Sequence, residues 1–189
     1  MKKLFLLIIA LSCTFETSFA QKSHALSTSQ IEEIKAQCEE NVKTFLFCLK
    51  SIAKEDAASE MRTIYTNKAI RMLSGNGDEW ADIEGHKHNA AMIEGIKPSL
   101  YAGIGDMEVL KKYIYELNRF DFATSISTTS ISDIYQLSRS YSFYVCNFHC
   151  LVSGWGGYEK YKFTFEMYFQ PYVFPSWDIK IGNITVNKL

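Results

Sequence analysis

Residues 141–152 read Y-S-F-Y-V-C-N-F-H-C-L-V. As a strand, this stretch puts Tyr144, Cys146, Phe148, Cys150 and Val152 on one face and Tyr141, Phe143, Val145, Asn147, His149 and Leu151 on the other. The run 161–169 alternates as well, with Tyr161, Phe163, Phe165, Met167 and Phe169 set against Lys162, Thr164, Glu166 and Tyr168. Between them lies S-G-W-G-G-Y-E, which is turn chemistry, so the two runs predict an antiparallel hairpin. Its register follows from the pattern. With Cys150 opposite Phe163, Phe148 meets Phe165, Cys146 meets Met167, and one face is wholly apolar. A slip by one residue sets Cys150 against Lys162 and Phe148 against Thr164. Each buried aromatic contributes roughly 1.5–3 kcal/mol, so the first register wins.

The chain begins M-K-K-L-F-L-L-I-I-A-L-S, and T-S-F-A precedes Gln21. Two lysines, a short apolar run and small residues at Ser18 and Ala20 predict a secretory signal over residues 1–20. The expected location is therefore the periplasm, the cell surface or the extracellular space. A rival reading makes Cys13 a lipid-anchor acceptor. The apolar run is too short to span a membrane, and no second long one follows. Residues 21–29 read as a flexible lead and 30–189 as a single domain. Twenty basic residues against 21 acidic, with no basic cluster, argue against nucleic acid as a partner.

Cys38, Cys48, Cys146 and Cys150 remain after the signal, and an even count in an exported chain points to disulfides. Cys38 and Cys48 stand about 15 Å apart along a helix axis, too far to bond each other. Cys146 and Cys150 stand about 13 Å apart along a strand. The similar separations suggest a helix stapled to the strand twice, in an order set by helix direction. Ten residues leave the helix about 80° short of full registration, which puts one bridge in doubt. Four buried free thiols are the alternative.

In chain order, Ile31, Ile34, Cys38, Val42, Phe45, Leu49 and Ile52 predict an amphipathic helix over residues 28–53, with N-cap residues at Ser27, Thr28 and Ser29. A second helix is expected over 57–73, capped by Asp56 and ended by Ser74-Gly75-Asn76-Gly77. A short strand before Pro98 and a third helix over 107–119, capped by Asp106, come next. The rest is β. Ile126 and Ile131 have opposite parity, which requires a bulge or turn between them. Pro171 and Pro175 are barred from the interior of a central strand. The last strand, 177–186, changes parity at Gly182-Asn183. The fold class is α+β, with N-terminal helices packed on a strongly curved antiparallel sheet.

This order of elements resembles the nuclear-transport-factor-2-like, or cystatin-like, α+β cone, in its secreted bacterial branch. L-K-K-Y-I-Y-E-L at 110–117 is similar to the family's Tyr-bearing helix before the meander. F-T-F-E-M-Y-F-Q-P-Y followed by W-D-I-K-I-G-N-I-T-V resembles its aromatic strand, Gln-aromatic pair and closing Asp–Lys strand. The chain departs from the pattern at 173–175 and in its four cysteines. The resemblance implies a conical pocket at one end of a helix-covered sheet. Some relatives are isomerases, dehydratases or epoxide hydrolases, and many only bind. No catalytic residue of the family maps onto this chain. Dimerisation through the open sheet face is common in the family, so a homodimer is expected.

Three local groups carry chemistry. In D-I-E-G-H-K-H, Asp82, Glu84, His86 and His88 would share one face of an extended strand, and His86, His88 and Glu84 are the metal-ligand candidates; a solvated polar turn explains them equally well. His149 and Glu166 are diagonal neighbours across the hairpin, able to pair for proton transfer or to form part of a polar outer surface facing a partner, beside Tyr141, Phe143 and Tyr168. Tyr144, Phe148, Tyr161, Phe163 and Phe165, with Phe169, either line a ligand pocket or form ordinary core. Trp155 and Tyr158 mark a loop tip for stacking on sugar or peptide. No phosphate-binding, dinucleotide or hydrolase motif is present, and no cofactor is expected. The expected function is noncatalytic binding of an unknown small ligand or protein. An isomerase or hydro-lyase pocket enzyme, or a metal-dependent activity on His86 and His88, is the alternative.

Overall fold

The computed structural model describes residues 26–54, 56–95, 107–117, 125–138, 141–153, 160–172 and 176–189. In chain order they form α1 (Thr28–Ala53), α2 (Ser59–Arg71), a 3-10 turn (Ser74–Gly77), β1 (Trp80–Ala81), β2 (Lys87–His88), β3 (Met92–Gly95), β4 (Glu108–Val109), α3 (Leu110–Glu116), β5 (Ser125–Ile131), β6 (Tyr135–Gln136), β7 (Tyr144–Ser153), β8 (Lys160–Pro171) and β9 (Trp177–Lys188). The expected signal, its cut after Ala20 and the alternative anchor Cys13 lie outside the described residues, as do the Asp106 cap, Pro98, Pro175, Trp155 and Tyr158.

The α+β class holds, and it is organised by the central hairpin. β7 and β8 pair with Cys150 opposite Phe163, Phe148 opposite Phe165 and Cys146 opposite Met167. Along β7 and β8 the inward side chains are buried at every second position. The sheet order is β4-β3-β9-β8-β7-β5, with β6 also pairing β7. It is antiparallel except that β3 runs parallel to β9, which corrects the expectation of an antiparallel sheet throughout. Gly95 makes that parallel pair fit. Its φ is +98°, and a β-carbon there would meet the Val186 carbonyl oxygen at 2.0 Å, so a side chain is excluded.

Both parity changes are where the sequence puts them. β5 shifts register against β7 between Ser127 and Thr129, which lets Ile126 and Ile131 both turn to the core. β9 shifts against β8 between Phe165 and Met167, so Gly182 and Asn183 stand opposite Glu166 alone. Pro171 ends β8 rather than interrupting it.

The helices differ in detail. α1 spans the expected residues, and Ser27 closes a capping box with Gln30: the Gln30 N–H donates to Ser27 Oγ at 3.3 Å and the Ser27 N–H donates to Gln30 Oε1 at 2.9 Å. α2 starts at Ser59 with no side-chain cap, because Asp56 pairs with Lys54 at 3.0 Å instead. Its C-terminal end runs into Gly75, Asn76 and Gly77, all at positive φ, as expected of those residues. α3 is shorter than its apolar stripe suggests. Glu108 and Val109, expected to be helical, pair with Ile93 and Met92 as strand.

Ile34, Cys38, Val42, Phe45 and Leu49 of α1 pack on the inner sheet face. Phe45 meets Phe165 edge-on at 6.5 Å, and Phe163 stacks on Phe165 at 5.7 Å. Phe165→Ala is expected to cost about 3–5 kcal/mol in urea unfolding. Phe47→Ala, on the exposed side of α1, is expected to cost under about 1 kcal/mol. Equal costs would mean that the wrong face has been identified as the core.

Candidate functional site

The outer sheet face, away from α1, is covered in part by the chain itself. β1 and β2 form a small ribbon, Trp80 opposite His88 and Ala81 opposite Lys87, that folds over β8 and β9. Trp80 stacks on His88 with ring centroids 4.2 Å apart and meets Tyr168 edge-on at 5.2 Å and Phe143 at 6.0 Å. These contacts bury Phe143 and half-bury Tyr168. Glu84, at the ribbon's tip, accepts a 2.8 Å hydrogen bond from the buried Ser138 hydroxyl, which fixes the other end.

The tip is built by Asp82. Gly85, at φ +84°, reverses the chain, and the Asp82 Oδ1 accepts the backbone N–H groups of Glu84 and His86, each at 2.9 Å. The Asp82 Oδ2 lies 3.0 Å from His86 Nδ1 and 3.2 Å from His88 Nε2. Burial works to raise this carboxyl, whose side chain is 3 % exposed, but the bonds from His88, from the His86 backbone and ring, and from Glu84 outweigh it and hold the pKa at about 2. The four polar residues of D-I-E-G-H-K-H are thus gathered by a turn, not by a strand face. Among the described residues, no three His, Cys, Asp or Glu side chains are grouped to hold a metal ion. His86 and His88 both point to Asp82 instead, and Glu84 to Ser138.

Under the ribbon lies a cavity of about 530 Å³. Trp80, His88 and Tyr168 form its aromatic wall, Met92 and Ile184 add apolar surface, and Lys87, Glu94, Glu166 and Asn183 supply polar groups. Its floor is the β9 bulge. Glu166 Oε2 accepts from the Asn183 side-chain amide at 2.9 Å and from the Asn183 backbone at 3.2 Å, and Asn183 Oδ1 accepts the Met92 N–H at 3.0 Å. A β-carbon at Gly182 would lie 2.6 Å from the Tyr168 ring, so glycine there lets the ring lie across the floor. Burial, and then the neighbouring Glu166, push the Tyr168 phenol well above its usual range, which keeps it protonated as a donor. A second cavity, of about 350 Å³, lies against the same Trp80 and Tyr168, lined also by Phe143 and Lys180.

Several expected sites fall elsewhere. Tyr144, Phe148, Tyr161, Phe163 and Phe165 are all core, packed against the helix side, and line neither cavity. The pocket is on the opposite face because the inner one is filled: Tyr144 stacks on Phe169, and Trp177 closes over both. His149 and Glu166 do not pair. His149 sits opposite Thr164 and bonds its hydroxyl at 3.0 Å, while Glu166 turns to Asn183 on the other side. Burial and then Lys162 lower the His149 pKa. Of the aromatics expected to face a partner, Tyr141 is exposed, but Phe143 and Tyr168 are met by the ribbon.

The four described cysteines are free thiols, all buried. Cys38 and Cys146 hydrogen bond each other, which raises the first and lowers the second. Cys48 does not meet Cys150. Cys48 lies by Lys68 of α2, with its pKa raised by burial, whereas Cys150 lies by Glu39, pushed up to about 12 by burial and then by that carboxylate. The structure thus shows neither bridge of the expected double staple, and Cys48 and Cys150 lie in different surroundings.

Trp80, Asn183 and Gly182 were not identified as site residues in the sequence. The one signal for them was the parity change at Gly182-Asn183, and nothing local linked it to Trp80. No helix among the described residues is long and apolar enough to cross a membrane. No protein-family model matches the chain, and no curated protein matches it.

The Asp82 carboxyl gives a pH test. Its folded pKa of about 2 lies below the ~3.9 of an unfolded aspartate, so its contribution is complete above about pH 4 and is lost as pH falls through 2. The Trp80 indole resonance should keep its folded shift down to about pH 4 and then move in a step centred near pH 2. Asp82→Asn should remove that step. A step that persists in Asp82→Asn would assign the change to some other group.

Proposed function

We propose that the protein is an exported, noncatalytic module that binds a small ligand in the cleft between the β1–β2 ribbon and the outer face of β8 and β9. The observation that carries this reading is the 530 Å³ cavity, which combines an aromatic wall with a few convergent polar groups. The polar side chains are also held in place. Glu166 is fixed by Asn183, and His88 by Asp82 and its stack on Trp80. Groups committed in this way orient a ligand with little ordering cost. They also favour binding over proton transfer, since their hydrogen bonds already serve the fold. The family likeness is compatible in element order, although its cone would place a pocket on the inner face. A protein partner or a second copy of the chain would have to use the part of the outer face that the ribbon leaves open, near Tyr141 and His149.

The reading is tested by screening a small-fragment library by NMR against the full chain. Hits should shift the Trp80 indole and Asn183 amide resonances together. Thr185→Trp, which places a large ring in the same cavity, should weaken those hits at least tenfold. As an outward-facing change it should move the melting temperature by no more than about 2 °C. Hits that map elsewhere, or that bind the variant equally well, would remove the cleft from consideration.

A further inference from the structure

One turn of α1 is pinned over the middle of the sheet. Gln37 Oε1 accepts the Trp177 N–H at 3.3 Å, and Asn41 Nδ2 donates to the Ile179 carbonyl at 3.2 Å, both on β9. On the opposite flank, Glu39 Oε2 accepts from the Thr129 hydroxyl of β5 at 3.1 Å. β8 and β7 lie between those strands, so this turn sits above them. Cys38 is in that turn and fully buried. Cys146, 2 % exposed, faces it from the inner side of β7, opposite Met167. The two thiols touch through a hydrogen bond.

We propose that Cys38 and Cys146 become a disulfide when the chain folds in the presence of a disulfide donor, stapling α1 to β7, and that Cys48 and Cys150 stay as thiols. The second pair is excluded by position. Cys48 is about 15 Å further along the helix and borders α2, while Cys150 lies beside Glu39, next to the first pair. The inference stands apart from the ligand cleft, which occupies the other face of the sheet.

The oxidant is a dithiol–disulfide oxidoreductase or oxidised glutathione. A thiolate from one of the two cysteines attacks a donor sulfur, forming a mixed disulfide and expelling one donor thiolate. The second cysteine, deprotonated, attacks the mixed disulfide at the first cysteine's sulfur. The Cys38–Cys146 bond forms, the second donor thiolate leaves, and the donor is reduced as it takes up the two protons. Both sulfurs are sealed in the finished core, so exchange precedes the docking of α1. The same burial then shields the bond from reductants.

The test uses the full chain carrying Cys13→Ser, so that only the four core thiols are counted. It is reduced, unfolded and refolded in a glutathione redox buffer, then denatured without reductant and treated with iodoacetamide. Two labels are expected, on Cys48 and Cys150, together with a peptide linking Cys38 to Cys146. The melting temperature should lie about 10 °C above that of a sample refolded with reduced dithiol, because the bridge closes a long loop. Cys146→Ala should melt at the same temperature in both buffers. Four labels, or a link through Cys48 or Cys150, would overturn the proposal. Both can be read on the chain without the Cys146 substitution, even if that variant does not fold.

Discussion

Side chains on β7 and β8 alternate between two environments that cannot be exchanged, and the rest of the structure follows from that. Moving one strand by a single residue would bring Lys162 and Thr164 under α1 and expel Phe163 and Phe165. Desolvating the lysine and exposing two rings together cost more than most single changes a domain survives. α1 supplies the matching stripe, and Phe45 reaches into the ring pair from above. Because the inner face is filled by rings, little room is left there for a ligand.

The same register determines what happens on the outer face through the bulge in β9. Ile181 and Ile184 must both point inward, opposite Met167 and Phe165. An even spacing would allow only one residue between inward positions, yet two stand there, Gly182 and Asn183. The extra residue lets Asn183 bond to both sides: its backbone N–H and side-chain amide donate to Glu166, and its Oδ1 accepts the N–H of Met92 on β3. One irregularity therefore joins the parallel strand to the sheet, fixes Glu166 and leaves, at Gly182, a gap that the Tyr168 ring fills.

What the sequence revealed divides along the same line. The hairpin register, the first helix and both bulges are products of periodicity within about a dozen residues, and they could be read. The start of α2 could not, because Asp56 had two partners open to it and the nearby Lys54 won. α3 loses its first turn for a related reason, as Glu108 and Val109 gain more from strand pairing with β3. The ribbon was illegible for a stronger reason. Its strands are two residues long, and Trp80 finds its partners Phe143 and Tyr168 far away in the chain. The cluster around Asp82 was noticed from spacing alone, but period-two spacing places residues on one face only if the chain stays extended. Gly85 takes a left-handed conformation and brings both histidine rings to a single carboxylate.

This division also bears on how such a site can change. Thr185, Lys87 and Glu94 border the cleft from outward positions, and none of them belongs to the buried core beneath the sheet. Substitutions at positions without shared partners tend to act independently on stability. The lining can therefore be altered while the inner register stays intact. Gly182, Asn183 and Glu166 are different, because each also holds the bulge together. The cleft thus has a constrained floor and an adjustable rim, and under the proposed binding role it is the rim that would set ligand preference.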